Sequence, residues 1–196
     1  LVAKLKAEYG EERAQAIFES LLVRNKASIR VTDLSRKEEI QALLEASDSS
    51  LSPSGLVKEQ GHFAGHDLFA EGAITIQDES SQLVAPTLDL QGNEKVLDAC
   101  AAPGGKTAHI ASYLTTGQVT ALDLYDHKLD LIQENAQRLG VADRVQTQKL
   151  DARKVHEFFG QDSFDKILVD APCSGIGLLR RKPDIKYNKE TADFAS

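Results

Sequence analysis

The chain contains no methionine, no tryptophan and only two cysteines, Cys100 and Cys173, among its 196 residues. Two cysteines this far apart do not have the spacing of a disulfide framework, so we expect a reducing, cytoplasmic setting. No apolar run is long enough to cross a membrane, and no signal peptide is recognisable. We therefore expect no membrane association. The five histidines lack metal-ligand spacing, so we also expect no metal site.

Complete phosphate-binding motifs are also missing. The dinucleotide fingerprint G-x-G-x-x-G is absent, and residues 105–107 (GKT) resemble only the end of a P-loop. A P-loop needs a glycine five positions before Gly105, where this chain has Cys100. Pro103 also removes an N–H donor from the loop. A P-loop-like nucleotidase stays open as an alternative, but these residues argue against it.

The most informative segment is residues 96–107, with the sequence VLDACAAPGGKT. A short apolar run, a glycine turn and a helical pattern predict a strand, a loop and a helix, an arrangement that allows backbone N–H groups to approach a nucleotide-like ligand. Three further apolar runs also end in an acid. The four acids at the predicted strand ends are Asp98, Asp123, Asp151 and Asp170.

Between the second and third of these strands the spacing predicts a helix. Asp126 is its expected N-cap and Gly140 its end, and its apolar face contains Leu129, Ile132, Ala136 and Leu139. Alternating strands and helices predict an α/β fold with a parallel, doubly wound, Rossmann-like sheet, whose ligands bind at the carboxyl ends of the strands. Four aspartates there would form an anionic rim that repels pyrophosphate and attracts hydroxyls, amino groups and a sulfonium cation.

The first part of the chain indicates a separate module. Residues 2–22 have a helical pattern interrupted by Gly10, and residues 28–34 alternate like a strand. Residues 35–38 (SRKE) predict a capping box that opens a helix ending at Leu44, and residues 47–55 predict a loop. We therefore expect a small α+β accessory domain over residues 1–70 and part of a catalytic domain over residues 71–196.

Three motifs together resemble one known family. Residues 77–85 (QDESSQLVA), 97–107 (LDACAAPGGKT) and 170–175 (DAPCSG) are similar to the Sun/Fmu family of RNA cytosine-5 methyltransferases, in particular its RsmB-type branch, which acts on ribosomal RNA. The resemblance is strong over residues 70–196 and looser before them. It implies a class I S-adenosylmethionine-dependent methyltransferase sheet, here incomplete, behind a small α+β domain.

The resemblance also implies the roles of individual residues. Asp123 would bind the ribose hydroxyls of S-adenosylmethionine, Asp151 would lie by the adenine amino group, and Asp170 would lie near the methionine end and the target base. Lys128 stands where the family commonly has an arginine; this keeps the charge and loses the planar fork. The segment expected to surround the cofactor consists of Cys100, Ala101, Ala102, Pro103, Gly104, Gly105 and Lys106.

The expected reaction methylates C5 of a cytosine, in 16S ribosomal RNA, through a covalent cysteine adduct. Asp170 would assist at ring N3, and Cys173, in the Pro-Cys-Ser-Gly motif, would assist product release. The family's nucleophile lies in a later Thr-Cys-Ser segment, which we expect downstream of Ser196, so we expect the chain to be a fragment. A transfer RNA cytosine-5 methyltransferase and a non-catalytic RNA-binding relative stay open.

RNA contact is expected despite a net charge of −7, because phosphates need only local positive charge. Basic residues concentrate in residues 24–37 and again just after the Pro-Cys-Ser-Gly motif. The predicted RNA-binding residues are Arg24, Lys26, Arg30, Arg180, Arg181 and Lys182. The partner would be an unpaired or extruded cytosine in ribosomal RNA, and we expect the protein to be a monomer.

Overall fold

The computed structural model describes residues 2–23, 26–173 and 178, in two compact units. One unit comprises residues 1–26 and 172–196, and its described helices are α1 (Val2–Tyr9) and α2 (Glu11–Ser20). Gly10 separates the helices with φ 80°, a left-handed conformation that interrupts a helix. The predicted helical segment with its break at Gly10 is confirmed.

The other unit, residues 27–171, begins with a four-stranded antiparallel sheet. Its strands are β1 (Ala27–Val31), β2 (Ser47–Asp48), β3 (Gly55–Lys58) and β4 (Ile74–Ile76), in the order β2-β3-β1-β4. β1 ends three residues earlier than predicted, and β2 lies inside the predicted 47–55 loop. β4 pairs with β1 in the register Arg30 to Thr75. The predicted domain boundary after residue 70 therefore lies before the last strand of this sheet.

Three helices accompany the antiparallel sheet: α3 (Lys37–Leu44), α4 (Asp67–Ala70) and α5 (Glu79–Gln82). The predicted capping box at Ser35 is wrong. Asp33 is the capping residue, because its carboxylate accepts the backbone N–H of Ser35 at 2.9 Å and opens a 3₁₀ turn that leads into α3. An aspartate whose side chain accepts the N–H two residues ahead forms a stable local turn. The helical segment therefore begins after Asp33 and not after Ser35.

A four-stranded parallel sheet follows, as predicted, and its strand order is β7-β6-β5-β8. Its strands are β5 (Lys95–Asp98), β6 (Gln118–Asp123), β7 (Val145–Lys149) and β8 (Lys166–Leu168). The helices of this part are α6 (Gly105–Ser112), α7 (Asp126–Arg138) and α8 (Val155–Phe158). Within the described part of the chain, no helix is both long and apolar enough to span a membrane.

Helix α7 packs its predicted apolar face on the parallel sheet. Ile132 and Ala136 are buried in the core, and Leu129 and Leu139 pack against it. Asp126 is the first helical residue rather than the N-cap, which is Tyr125. A carboxylate in the first turn still interacts favourably with the helix dipole.

A buried polar cluster lies between the antiparallel sheet and α6. Arg30 of β1 is 3% exposed, and its Nε donates to Gln77 Oε1 at 2.7 Å. Gln82 of α5 is 1% exposed and donates to the carbonyl oxygens of Ile29 and Gln77. The prediction that Arg30 contacts RNA is therefore wrong, because its side chain is inside the protein. Burial lowers the pKa of Arg30 to about 10.

His109 of α6 is buried beside the same cluster. Because its imidazole is buried, we expect the fold to lose stability in acid. His109 is 3% exposed, and burial, reinforced by Arg30, lowers its pKa from 6.5 to about 3. Since the unfolded chain binds the proton more tightly, the stability that neutral His109 contributes is complete above pH 6.5 and is lost as the pH falls toward 3. At pH 5 we expect a loss of about 2 kcal/mol in the free energy of unfolding.

Denaturant unfolding at pH 7.5 and 5.0 measures this loss. His109→Gln should reduce the pH dependence, whereas the matched change His156→Gln, at a histidine whose side chain is 77% exposed, should leave it as in the wild type. An unchanged pH dependence in His109→Gln would contradict a buried neutral imidazole.

Candidate active site

The carboxyl ends of the four parallel strands bring the four predicted aspartates to one edge of the sheet. Asp98 and Asp123 are the last residues of β5 and β6, and Asp151 and Asp170 each follow their strands, β7 and β8, by two positions. Because the strand order is β7-β6-β5-β8, the acids lie at neighbouring strand ends in the order 151, 123, 98, 170. The predicted clustering of acids is confirmed.

Backbone hydrogen bonds fasten the glycine loop, residues 99–104, across this edge. The N–H of Ala99 donates to Leu168 O at 3.0 Å, and the N–H of Ala101 donates to Leu122 O at 2.9 Å, so the loop is tied to strands on both sides of β5. The Ala102–Pro103 peptide bond is cis. Gly104 has φ 96°, and a Cβ there would lie 2.9 Å from Ile132 Cα. The glycine allows the loop to lie directly against α7.

Asp98 lies beneath the rim rather than on it, which corrects the prediction that all four aspartates form the anionic rim. It is 1% exposed, and its Oδ2 accepts a 2.7 Å hydrogen bond from the hydroxyl of Thr107. Its Oδ1 is buried, and the backbone N–H of Cys100 interacts with the carboxylate. Burial raises the pKa of Asp98, with Asp170 adding a smaller repulsion.

Lys106 and Asp170 form an ion pair that sequence reasoning missed. Lys106 Nζ lies 2.7 Å from Asp170 Oδ2, and the two side chains are 25% and 54% exposed. The pair connects the first turn of α6 to the acid after β8. It places a cation beside the predicted catalytic carboxylate, and no short-range sequence pattern indicates this because the residues are 64 positions apart.

Asp123 is held in place by the start of α7. Its Oδ1 accepts the backbone N–H of Leu124 at 2.7 Å and that of Tyr125 at 3.3 Å, and its side chain is 11% exposed. Lys128 Nζ lies 3.7 Å from the same oxygen and 5.2 Å from the centre of the Tyr125 ring. Lys128 therefore supplies the positive charge that was predicted beside Asp123.

Asp151 is engaged by Arg153, a residue that the sequence analysis did not single out. The Arg153 guanidinium contacts both carboxylate oxygens, at 3.0 and 3.1 Å from Nε and at 2.6 Å from Nη2, and its backbone N–H donates to Oδ1. These hydrogen bonds lower the pKa of Asp151 to about 2. The spacing Asp-x-Arg with an Asx turn could have indicated the pair.

The two cysteines differ in exposure. Cys100 is partly buried, and its pKa is raised by burial and then by the carboxylates of Asp98, Asp123 and Asp170. A thiol kept protonated by neighbouring carboxylates is a poor nucleophile, which fits its expected place in the loop rather than a role in attack. Cys173 is exposed.

The remaining predicted site residues lie elsewhere. Lys26 is exposed just before β1. Four predicted RNA-binding residues fall outside the described residues: Arg24, Arg180, Arg181 and Lys182. In the ranges that the structure does cover, no group of three or more histidine, cysteine or acidic side chains has the arrangement of a metal site.

The expected nucleophile is likewise not among the residues that the structure describes. It was predicted downstream of Ser196, and Ser196 itself lies outside the described residues. Of the two cysteines in the sequence, Cys100 lies in the glycine loop and Cys173 in the Pro-Cys-Ser-Gly motif, so neither belongs to a Thr-Cys-Ser segment. The position of the attacking thiol beyond Ser196 therefore stays a prediction.

The residues at the strand ends fit S-adenosylmethionine better than a nucleotide with phosphates. Carboxylates accept hydrogen bonds from ribose hydroxyls and amino groups, and they attract a positively charged sulfur. They would repel a pyrophosphate, whose usual partners are N–H groups and cations. Gly105, at the start of α6, has nothing within 4 Å of where a Cβ would be, so open space adjoins the loop.

Comparison with known proteins is consistent with this fit. The family model described as 16S rRNA methyltransferase RsmB/F matches residues 85–196. A protein of Bacillus subtilis (strain 168), named Probable ribosomal RNA small subunit methyltransferase B, is 45% identical over 202 residues, which cover 100% of this chain and 45% of the relative. The chain therefore spans about half the length of this relative.

Two solved structures share the fold. The crystal structure of PH0851 matches with a TM-score of 0.89 at 30% identity, and the match covers 99% of this chain and 45% of the PH0851 chain. The structure of a methyltransferase homologue from Pyrococcus horikoshii has a TM-score of 0.75 at 31% identity, with 91% and 61% covered. The predicted Rossmann-like methyltransferase fold is confirmed. Since the family model covers more than half of its residues, the chain belongs to the 16S rRNA methyltransferase RsmB/F family.

Proposed function

We propose that this chain carries the cofactor site of an enzyme that transfers a methyl group from S-adenosylmethionine to C5 of a cytosine in 16S ribosomal RNA. The observation that carries the proposal is the row of carboxylates beside the glycine loop, in a member of this family. We place the reaction in the cytoplasm and propose that the enzyme acts as a monomer on an unpaired or extruded cytosine, because the reacting ring atoms are inaccessible inside a stacked helix.

The cofactor would be held by residues of three strand ends. Asp123, oriented by the N–H groups of Leu124 and Tyr125, would accept hydrogen bonds from the ribose hydroxyls. Asp151 would accept one from the adenine amino group, and residues 100–106 would surround the remainder. When bound, S-adenosylmethionine supplies an electrophilic methyl group on a positively charged sulfur.

The residues around Asp170 would act on the cytosine. C5 becomes nucleophilic only after a thiolate adds at C6, and an acid at ring N3 favours that addition. Asp170 would serve there in its protonated form, after its carboxylate leaves the ion pair with Lys106, whose Nζ lies 2.7 Å from Oδ2 in the free chain. After C5 has taken the methyl group, a base removes the proton from C5, the C5–C6 double bond re-forms and the C6–S bond breaks, so that the attacking sulfur leaves as a thiolate. Cys173 would assist this release. We assign the attacking thiol to the family's Thr-Cys-Ser segment, downstream of Ser196, which these 196 residues do not contain.

Isothermal titration calorimetry tests the cofactor assignment. We expect the chain to bind S-adenosylmethionine and to give no heat with ATP, because the strand-end carboxylates repel phosphates. Binding of ATP without binding of S-adenosylmethionine would overturn the assignment and restore the nucleotidase alternative.

Bisulfite sequencing of RNA from a strain that lacks the gene tests the substrate. The expected result is the loss of a single 5-methylcytosine from 16S ribosomal RNA, restored by the intact gene. Loss of a 5-methylcytosine from transfer RNA instead would show that the assigned substrate, ribosomal RNA, is wrong. An unchanged 5-methylcytosine pattern in both RNAs would indicate a non-catalytic relative.

A further inference from the structure

Arg138, the last residue of α7, fastens the antiparallel sheet to that helix. Its Nη1 donates to the carbonyl oxygens of Phe69 at 2.8 Å and Ile74 at 3.2 Å, and its Nη2 donates to Thr75 Oγ1 at 3.2 Å. The guanidinium carbon also lies 3.9 Å from the centre of the Phe69 ring. One side chain thus holds β4 and the segment before it against the end of α7.

Asn135, one turn earlier on α7, connects Arg138 to the glycine loop. Its Oδ1 accepts from Arg138 Nη2 at 3.1 Å, and its Nδ2 donates to the carbonyl oxygen of Pro103 at 2.7 Å. The orientation of the amide follows from its partners, since a guanidinium only donates and a carbonyl only accepts. The result is a continuous hydrogen-bonded path from Thr75 through Arg138 and Asn135 to Pro103.

The path ends at the point where the loop touches α7 a second time. Gly104 lies so close to Ile132 that a Cβ would be 2.9 Å from its Cα. Pro103 itself has no N–H to donate. The Asn135 amide and the Gly104 contact therefore both fix this turn of the loop to α7, and Arg138 fixes the antiparallel sheet to the same helix.

We propose that Asn135 and Arg138 are positioning residues that set the position of the glycine loop relative to the antiparallel sheet. A change at β4 is transmitted through them to the affinity for the methyl donor, although neither Thr75 nor Arg138 contacts the loop directly in the hydrogen bonds described. This rests on the proposed function insofar as residues 100–106 hold S-adenosylmethionine.

Three variants of the 196-residue chain test the path by calorimetry with S-adenosylmethionine. Asn135→Asp keeps the acceptor for Arg138 and loses the donor to Pro103, so we expect about tenfold weaker binding. Arg138→Gln, at the far end of the path, should weaken binding about threefold. In the Asn135→Asp background, Arg138→Gln should add less than a factor of about two, because the path is already broken.

Gln133→Ala is the matched control on the same helix. It removes an amide that donates to Thr147 Oγ1 at 3.2 Å, on β7 and away from the loop, and it should leave the affinity unchanged. Fully multiplicative effects of Asn135→Asp and Arg138→Gln, or an Arg138→Gln variant that binds like the wild type, would overturn the proposal.

Hydrogen exchange without cofactor separates this proposal from the proposed function. The amides of residues 100–102 and 104–106 should exchange about five- to tenfold faster in Asn135→Asp and in Arg138→Gln than in Gln133→Ala. If Arg138→Gln fails to fold, Thr75→Val replaces it, because this nearly isosteric change removes the acceptor for Arg138 Nη2. It should also make these amides exchange faster. Equal exchange in all variants would refute the path, whereas a wild type that binds no S-adenosylmethionine would refute the proposed function alone.

Discussion

Asp123→Ala is expected to weaken the binding of S-adenosylmethionine about 100-fold. A carboxylate that accepts hydrogen bonds from ribose hydroxyls contributes roughly 1.5–3 kcal/mol through bonds to a charged group, and about 2.7 kcal/mol corresponds to 100-fold. Asp123 is already oriented for this task, because the N–H groups of Leu124 and Tyr125 hold Oδ1 and the side chain is 11% exposed. Little freedom is left to be lost on binding.

Two further variants separate charge from geometry at this position. Asp123→Asn keeps an acceptor for the backbone N–H groups and loses the charge, so about tenfold weaker binding is expected. Asp126→Ala removes a carboxylate three residues later that is 74% exposed and pairs with Lys149, and it should leave affinity within twofold. Calorimetry on folded variants measures all three. If Asp123→Ala binds S-adenosylmethionine as tightly as Asp126→Ala does, the assignment of Asp123 to the ribose hydroxyls is contradicted.

Local patterns were sufficient to predict the architecture. The parallel strands, the glycine loop and the break at Gly10 follow from periodicity and from glycine's tolerance of positive φ. The acids at the strand ends predicted the site because parallel strands bring their carboxyl ends to one edge. These features depend on residues near one another in sequence.

The missed features depend on contacts between distant segments. An alternating segment does not reveal whether one face of a sheet or both are covered. Ile29 and Val31 pack in one core while Arg30, between them, is buried beside Gln77. For the same reason the Lys106–Asp170 pair and the Asn135–Pro103 bond could not be predicted, since each joins segments that only the fold brings together.

Gly72→Ala is expected to cost about 4 kcal/mol in the free energy of unfolding, the largest stability loss we predict. Gly72 has φ 76°, and a Cβ there would lie 2.0 Å from the carbonyl oxygen of Arg138 and 3.4 Å from Leu139 Cα. Left-handed backbone costs an L-residue roughly 1–2 kcal/mol, and forcing extra volume into a packed contact costs about 1–3 kcal/mol more. The obstacle is backbone, which cannot rotate away as a side chain could.

Gly140→Ala isolates the conformational part of that loss. Gly140 has φ 69° at the end of α7, but nothing lies within 4 Å of where its Cβ would be, so a loss of about 1–2 kcal/mol is expected. Denaturant unfolding of both variants measures the difference. Equal losses of unfolding free energy in the two variants would show that the backbone around Gly72 moves aside to accommodate the Cβ at no energetic cost. A larger loss at Gly72 would show that the turn before β4 fits against the end of α7 through direct backbone contact, beside the Arg138 side chain that hydrogen-bonds to Asn135.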